Sequence, residues 1–90
     1  MRKELAQFAT RMEFTLQEND NKAHWSGSTQ NYLHHALNRK NEKLQGAVCD
    51  NNHGQVIRHA VDLANYAMML ADNAINKMER KQQEEPIDHA

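Results

Sequence analysis

Five polar side chains on two consecutive helical segments are the residues of this sequence best suited to chemistry. Arg39, Lys40 and Lys43 interrupt the apolar stripe of one segment, and Asp62 and Asn65 lie within the mostly apolar stretch of the next. The turn between the segments is centred near position 51, which predicts an antiparallel pair with position 40 opposite position 62. Pairing a buried carboxylate with cations lowers the desolvation cost of both. We expect a ligand site at this level, or, in the simpler interpretation, a structural ion pair with solvated lysines around it.

Three amphipathic helices are expected to position these residues, so the fold class is all-α. The first covers residues 3–18, the second runs from about Gln30 to Val48, and the third from Gln55 to about Lys77. Each has apolar residues at helical spacing. The second and third form an antiparallel helical hairpin.

The segments between the helices are rich in turn-forming residues. Residues 19–27 have no period and predict a loop, and Ser28 or Thr29 is placed to cap the second helix. Residues 49–54 predict a tight turn in which Gly54 takes a positive φ.

The third helix is apolar around most of its circumference, which predicts burial on several sides. Two partner helices from one subunit do not readily provide that much cover, and a chain of 90 residues buries little surface by itself. We therefore expect a homo-oligomer. The predicted organisation is one helical domain over residues 1–78, followed by a solvated helix end and flexible tail over residues 79–90.

Composition and net charge argue against several classes of function. A net charge of -1 disfavours bulk nucleic-acid binding, and no apolar stretch is long enough to predict a membrane span. Cys49 is the single cysteine, which favours a reducing compartment, and the first residues do not resemble a signal peptide. The predicted location is the cytoplasm.

Three segments carry a resemblance to a known family. Residues 61–72 read Val-Asp-Leu-Ala-Asn-Tyr-Ala-Met-Met-Leu-Ala-Asp, residues 19–25 follow the pattern Asn-Asp-x-Lys-x-x-Trp, and residues 32–44 lie between them. Over residues 5–75 the chain resembles the short MazG-like all-α NTP pyrophosphohydrolases. The resemblance implies a four-helix bundle completed by oligomerisation, in a dimer or a tetramer. It also implies cleavage of nucleoside triphosphates to monophosphate and pyrophosphate, with Mg²⁺ held by carboxylates from two helices.

The metal-binding motif of that family is degenerate here. Its Glu-Glu-x-x-Glu positions fall on Arg39, Lys40 and Lys43, and the glutamate of its Glu-x-x-Asp falls on His59, so that Asp62 and Asn65 alone match. Mg²⁺ requires several hard oxygen ligands. The sequence therefore predicts no catalytic residue and no metal site or cofactor, with Mg²⁺ implied only if hydrolysis survives.

A cationic pocket on this scaffold predicts a phosphate-binding protein, because Arg and Lys bind phosphate oxygens directly. The expected partner is a nucleotide or another phosphorylated small molecule. Trp25 and Tyr66 are placed to stack on a base, and Lys22 to add a phosphate contact. The predicted ligand-binding set is Lys22, His24, Trp25, His35, Arg39, Lys40, Lys43, His59, Asp62, Asn65 and Tyr66. Small members of the family are common in phages, so the resemblance implies a protein that sequesters a nucleotide signal of host defence in the host cytoplasm.

Three alternatives stay open at this stage. One is an active pyrophosphohydrolase with a rearranged metal site, and another is a module whose basic patch docks an acidic partner protein. The third is a Zn²⁺ or Mn²⁺ site at His34, His35, His59 and Asp62. Adjacent histidines point about 100° apart on a helix, so only one of the first two can face His59.

Overall fold

Three α-helices and a short 3-10 turn make up the part of the chain that the structure describes. This computed structural model covers residues 1–20 and 22–84, with side chains described to residue 81. Helix α1 spans Lys3–Glu18, the 3-10 turn Trp25–Gly27, α2 Gln30–Cys49 and α3 His53–Glu84. No strand occurs in these residues, and the all-α fold class is confirmed.

Helices α2 and α3 form the expected antiparallel hairpin. Lys40 Nζ lies 3.0 Å from Asp62 Oδ2, which confirms that these positions oppose each other. Nearer the open end of the hairpin, Gln30 Nε2 donates a hydrogen bond of 3.3 Å to the carbonyl of Leu70. The register therefore holds over most of α2.

The connection between α2 and α3 is shorter than predicted, and a different residue makes the turn. Asn51 has the positive φ, 53°, that we expected at Gly54, and Gly54 lies in the first turn of α3. Asparagine is one of the few non-glycine residues that adopt this conformation readily. Asn52 Oδ1 accepts a 3.3 Å hydrogen bond from the Gln55 amide. This cap lets α3 begin at His53 instead of Gln55.

The far ends of α2 and α3 also have clear local causes. Thr29 Oγ1 accepts a 3.1 Å hydrogen bond from the Tyr32 amide, so Thr29 is the cap of α2. Helix α3 continues to Glu84, beyond the expected end at about Lys77. Glutamate, arginine, lysine and glutamine after Met78 are good helix formers. The predicted tail over residues 85–90 lies outside the described residues.

The core is small and lies mainly between α2 and α3. Its buried apolar residues are Leu33, Ala36, Ala47 and Val61, and two asparagines of α3, Asn65 and Asn73, are also buried.

Helix α1 is held more loosely. It packs on α3, and none of its residues is fully buried. Asn65 Nδ2 donates a 3.3 Å hydrogen bond to the carbonyl of Met12 in α1. Helix α1 therefore contacts the hairpin through half-buried residues and through this hydrogen bond.

The apolar surface of α3 is only partly covered in a single chain. Beyond the level of Leu70 it passes the end of α2, and Ile75 and Met78 are 52% and 63% exposed. Ala67, Ala71 and Ala74 are exposed as well. Among the residues that the structure describes, α3 is not buried on several sides. No helix among the described residues is sufficiently long and apolar to span a membrane.

Candidate functional site

A wide groove with a volume of about 1340 Å³ runs along α3. One face of α3 forms its floor. The C-terminal half of α1, residues 19–20 and 22–29, and the N-terminal part of α2 form its walls. Residues of α3 line it at helical steps, so that one face of the helix contributes throughout. These residues are Gly54, Ile57, Arg58, Val61, Asp62, Asn65, Tyr66 and Met69.

The Lys40–Asp62 ion pair is part of this lining. Lys40 takes a position in α2 at which the apolar stripe that contains Leu33, Ala36 and Ala47 would otherwise continue. Its side chain is 26% exposed and that of Asp62 is 17% exposed. The aliphatic stem can therefore stay against the hairpin while the ammonium reaches the carboxylate. The pair places opposite charges 3.0 Å apart at the groove surface.

Three more cations line the groove. Arg11 comes from α1, Lys22 from the connecting segment, and Arg58 from α3, one helical turn before Asp62. Within the described residues, none of the three makes an ion pair inside 4.0 Å. With Lys40 they make four cations against three carboxylates in the lining, those of Glu18, Asp20 and Asp62. The groove therefore offers cationic groups to an anionic ligand.

Trp25 is fixed to α3 at both its ring and its backbone. Its indole Nε1 donates a 3.0 Å hydrogen bond to Asp72 Oδ2, and its carbonyl accepts a 3.2 Å hydrogen bond from Asn73 Nδ2. The His24 ring stacks on the indole at a centroid distance of 4.0 Å. Both residues line the groove, so their stacked rings place an aromatic surface there. Phe14, Tyr32 and Tyr66 add further aromatic surface.

The structure brings together most of the predicted ligand-binding residues. Those that line the groove are Lys22, His24, Trp25, Lys40, Asp62, Asn65 and Tyr66. The others, His35, Arg39, Lys43 and His59, are not in its lining. Adjacent helical residues point about 100° apart, so Lys40 and Arg39 do not face the groove together. Arg39, Lys43 and His35 are exposed, and His59 is half-buried with an unpartnered Nδ1.

Sequence reasoning missed two cations of the groove, Arg11 and Arg58. Arg58 precedes Asp62 by four residues on the same face of α3, so extending the polar stripe by one turn toward the N-terminus would have found it. Arg11 lies on α1 with Phe14, Thr15 and Glu18 at helical spacing. The sequence alone did not assign this face of α1 to a ligand site, because it reaches the groove only through the packing of α1 on α3.

The donor set around Asp62 does not suit a hard divalent cation. The atom nearest the Asp62 carboxylate across the hairpin is the Lys40 ammonium, a hydrogen-bond donor and not a metal ligand. The described residues contain no cluster of three or more His, Cys, Asp or Glu side chains arranged to hold a metal ion. His34 and His35, considered as zinc ligands, are both exposed on α2.

Comparison with known proteins gives no assignment. No protein-family model, curated protein or solved structure matches the chain. The MazG-like resemblance of the sequence therefore stays a prediction.

Proposed function

We propose that this protein binds a nucleotide, or a phosphorylated molecule derived from one, in the groove and leaves it intact. The observation that carries the proposal is the presence of four cationic side chains and a fixed aromatic surface in one groove. Guanidinium and ammonium groups bind phosphate oxygens directly. Trp25 and Tyr66 offer ring faces on which a base can stack.

The same groove argues for binding without metal-assisted hydrolysis. In the family that the sequence resembles, carboxylates hold Mg²⁺ at the positions of Arg39, Lys40 and Lys43. Of these three cations, Lys40 lines the groove, and Arg39 and Lys43 are exposed outside it. Asp62 is engaged by Lys40, so its carboxylate is balanced by a cation of the chain itself. We propose a catalytically inactive MazG-like protein that lowers the free concentration of its ligand. Sequestration of a host defence signal by a phage protein is the biological form of this proposal.

We further propose that two copies complete a four-helix bundle through α3. Its apolar residues Ala60, Ala64, Ala67, Ala71, Ala74 and Met78 follow alternating steps of four and three. This heptad spacing forms a continuous seam for a second helix, and alanine allows close approach. The seam lies about 200° around α3 from Arg58, which lines the groove. Self-association through the seam therefore leaves the groove accessible.

The direct test is a calorimetric titration of the purified protein with nucleoside mono-, di- and triphosphates and cyclic nucleotides, without divalent metal. We expect saturable binding of at least one of them. After the protein is denatured, anion-exchange chromatography is expected to recover the ligand unchanged. Absence of binding across the panel at every accessible concentration would contradict the proposal.

Hydrolysis is the second candidate, because Glu18, Asp20 and Asp62 all line the groove. Release of pyrophosphate from any nucleoside triphosphate with Mg²⁺ or Mn²⁺ would establish it. Replacing Arg39, Lys40 and Lys43 by glutamate restores the acidic motif of the resembled family. A gain of hydrolysis in that variant would support the proposed ancestry.

Docking of an acidic protein is the third candidate, and the exposed position of Arg39 and Lys43 outside the groove favours it. Charge reversal at these two residues separates the candidates. If the groove is the functional site, nucleotide binding persists in the Arg39→Glu/Lys43→Glu variant and is lost in Arg58→Glu. Loss of a protein partner without loss of nucleotide binding would favour docking.

A further inference from the structure

Asn65 combines deep burial with an unused hydrogen-bond acceptor at the groove. It is 4% exposed and belongs to the groove lining. Its Nδ2 donates to the Met12 carbonyl at 3.3 Å, whereas its Oδ1 is covered and has no hydrogen-bond partner. The bond from Nδ2 fixes the orientation of the amide, so the unpaired atom is the acceptor.

We propose that Asn65 Oδ1 accepts a hydrogen bond from an N–H or O–H group of the bound ligand and thereby determines specificity. This inference rests on the proposed function. Buried side-chain acceptors are rarely left unpaired, so each exception needs an explanation. At Asn65, which lines the groove, a donor of the ligand supplies one. A site that holds such an acceptor discriminates against analogues without the matching donor, because they leave the acceptor unpaired.

The chemistry of the acceptor also decides which end of the ligand it meets. Ionised phosphate oxygens are acceptors, so Oδ1 does not bind them. The donor must belong to the nucleoside end, as an exocyclic amine of the base or a sugar hydroxyl. Arg58 precedes Asn65 by seven residues on the same face of α3, about 10 Å along the helix axis. That separation leaves room for a nucleoside at Asn65 with its phosphates toward Arg58.

Oδ1 is covered by neighbouring atoms, so a ligand donor reaches it only after a local displacement of those atoms. The hydrogen bond from Nδ2 to the Met12 carbonyl has to persist during this displacement, because that bond keeps Oδ1 as the free acceptor.

The test compares ligands that differ by one donor. The probes are ATP and CTP, their 2′-deoxy and 3′-deoxy forms, and purine riboside and 2-pyrimidinone riboside triphosphates, from which the amine has been removed. We expect one deletion to weaken binding to the unaltered protein about tenfold, the effect of one hydrogen bond. Which deletion acts identifies the donor as base amine, 2′-hydroxyl or 3′-hydroxyl.

Two variants then assign the effect to Asn65. The leucine of Asn65→Leu has a similar volume and no acceptor. We expect this variant to bind the parent nucleotide and the analogue that lacks the donor equally. Asn65→Asp keeps acceptor oxygens and is expected to retain the discrimination. If Asn65→Leu does not fold, the side-chain amide resonance of Asn65 in the ¹⁵N-labelled unaltered protein serves instead, and it is expected to shift with the parent and not with the analogue.

The outcomes separate this inference from the proposed function. Nucleotide binding with no loss on deletion of any donor, or discrimination that persists in Asn65→Leu, overturns the role of Asn65 and leaves the nucleotide-binding groove intact. An amide resonance that responds equally to parent and analogue overturns it as well. Failure of these probes and of every nucleotide in the calorimetric panel to bind overturns both.

Discussion

The Lys40 ammonium can contact two anions, the Asp62 carboxylate and a phosphate of the proposed ligand. The ammonium is 3.0 Å from the carboxylate, so a phosphate that approaches Lys40 competes with an intramolecular anion. The same carboxylate repels the incoming charge. Asp62 is therefore expected to lower the affinity of the groove for anions while it holds Lys40 in place.

Replacing Asp62 by asparagine is expected to strengthen nucleotide binding about three- to tenfold, because it releases Lys40 and removes the repulsion. The partly exposed pair contributes little to folding, so the free energy of unfolding should fall by less than about 1 kcal/mol. Calorimetry and urea denaturation measure the two effects. Asp50→Asn, at the exposed end of α2, makes the same change in net charge. An equal gain in that control would assign the effect to net charge and not to the pair.

Arg58 is the cation that most clearly separates the observed groove from the site predicted by sequence. Arg58→Ala is expected to weaken binding of a nucleoside triphosphate at least about tenfold, since hydrogen bonds to charged groups are the stronger ones. It should also reduce the dependence of affinity on salt. Arg80→Ala removes an exposed arginine from the same helix, outside the groove, and should bind like the unaltered protein. Equal affinity of the two variants would place the phosphates elsewhere.

Most of the helices and the turn between α2 and α3 follow from local sequence. Helical periodicity and the Thr29 cap suffice to predict α1 and α2, and the position of the turn predicts that Lys40 opposes Asp62. The expected conformation of Gly54 was wrong because Asn51 fills the same requirement and Asn52 caps α3 early. Helix α3 reaches Glu84 through the residues predicted as its solvated helix end, because these polar residues are good helix formers although they carry no apolar period.

The candidate site was less predictable than the fold, for a geometric reason. Within the hairpin, distance from the turn is enough to pair Lys40 with Asp62. The direction in which α1 crosses α3 is set by tertiary packing, and it brings Arg11 and Phe14 to the groove. The local pattern could not distinguish Lys40, which faces the groove, from the exposed Arg39 beside it.

The Trp25–Asp72 hydrogen bond ties the segment before α2 to α3, and Trp25 is the single tryptophan of the sequence. Asp72→Ala is expected to destabilise the protein by about 1–2 kcal/mol, because the indole loses a charged acceptor. Trp25 emission should move to longer wavelength and acrylamide quenching should increase. Glu79→Ala removes an exposed carboxylate from the same helix and should change neither. Unaltered emission in Asp72→Ala would show that the bond does not hold the segment.

The shape of the whole molecule explains why we expect self-association. The chain is elongated, 61 × 30 × 25 Å, and its buried apolar core comprises four described residues. Short chains with small cores are marginally stable alone. A second copy along the α3 seam would bury Ala67, Ala71 and Met78, which a single chain leaves exposed. Stability and oligomeric state are then linked, and stability should rise with protein concentration.

Ala71→Glu places a charge in the middle of this seam. We expect it to raise the dissociation constant of the oligomer at least about hundredfold, so that light scattering after gel filtration gives the mass of one chain, 10.4 kDa. The Tm of the variant should be lower and independent of concentration. Gln45→Glu adds the same charge on the exposed surface of α2 and should remain oligomeric. Because the groove is built within one chain, a folded Ala71→Glu monomer should still bind nucleotide. A folded monomer that has lost this binding would show instead that the partner copy supplies part of the site.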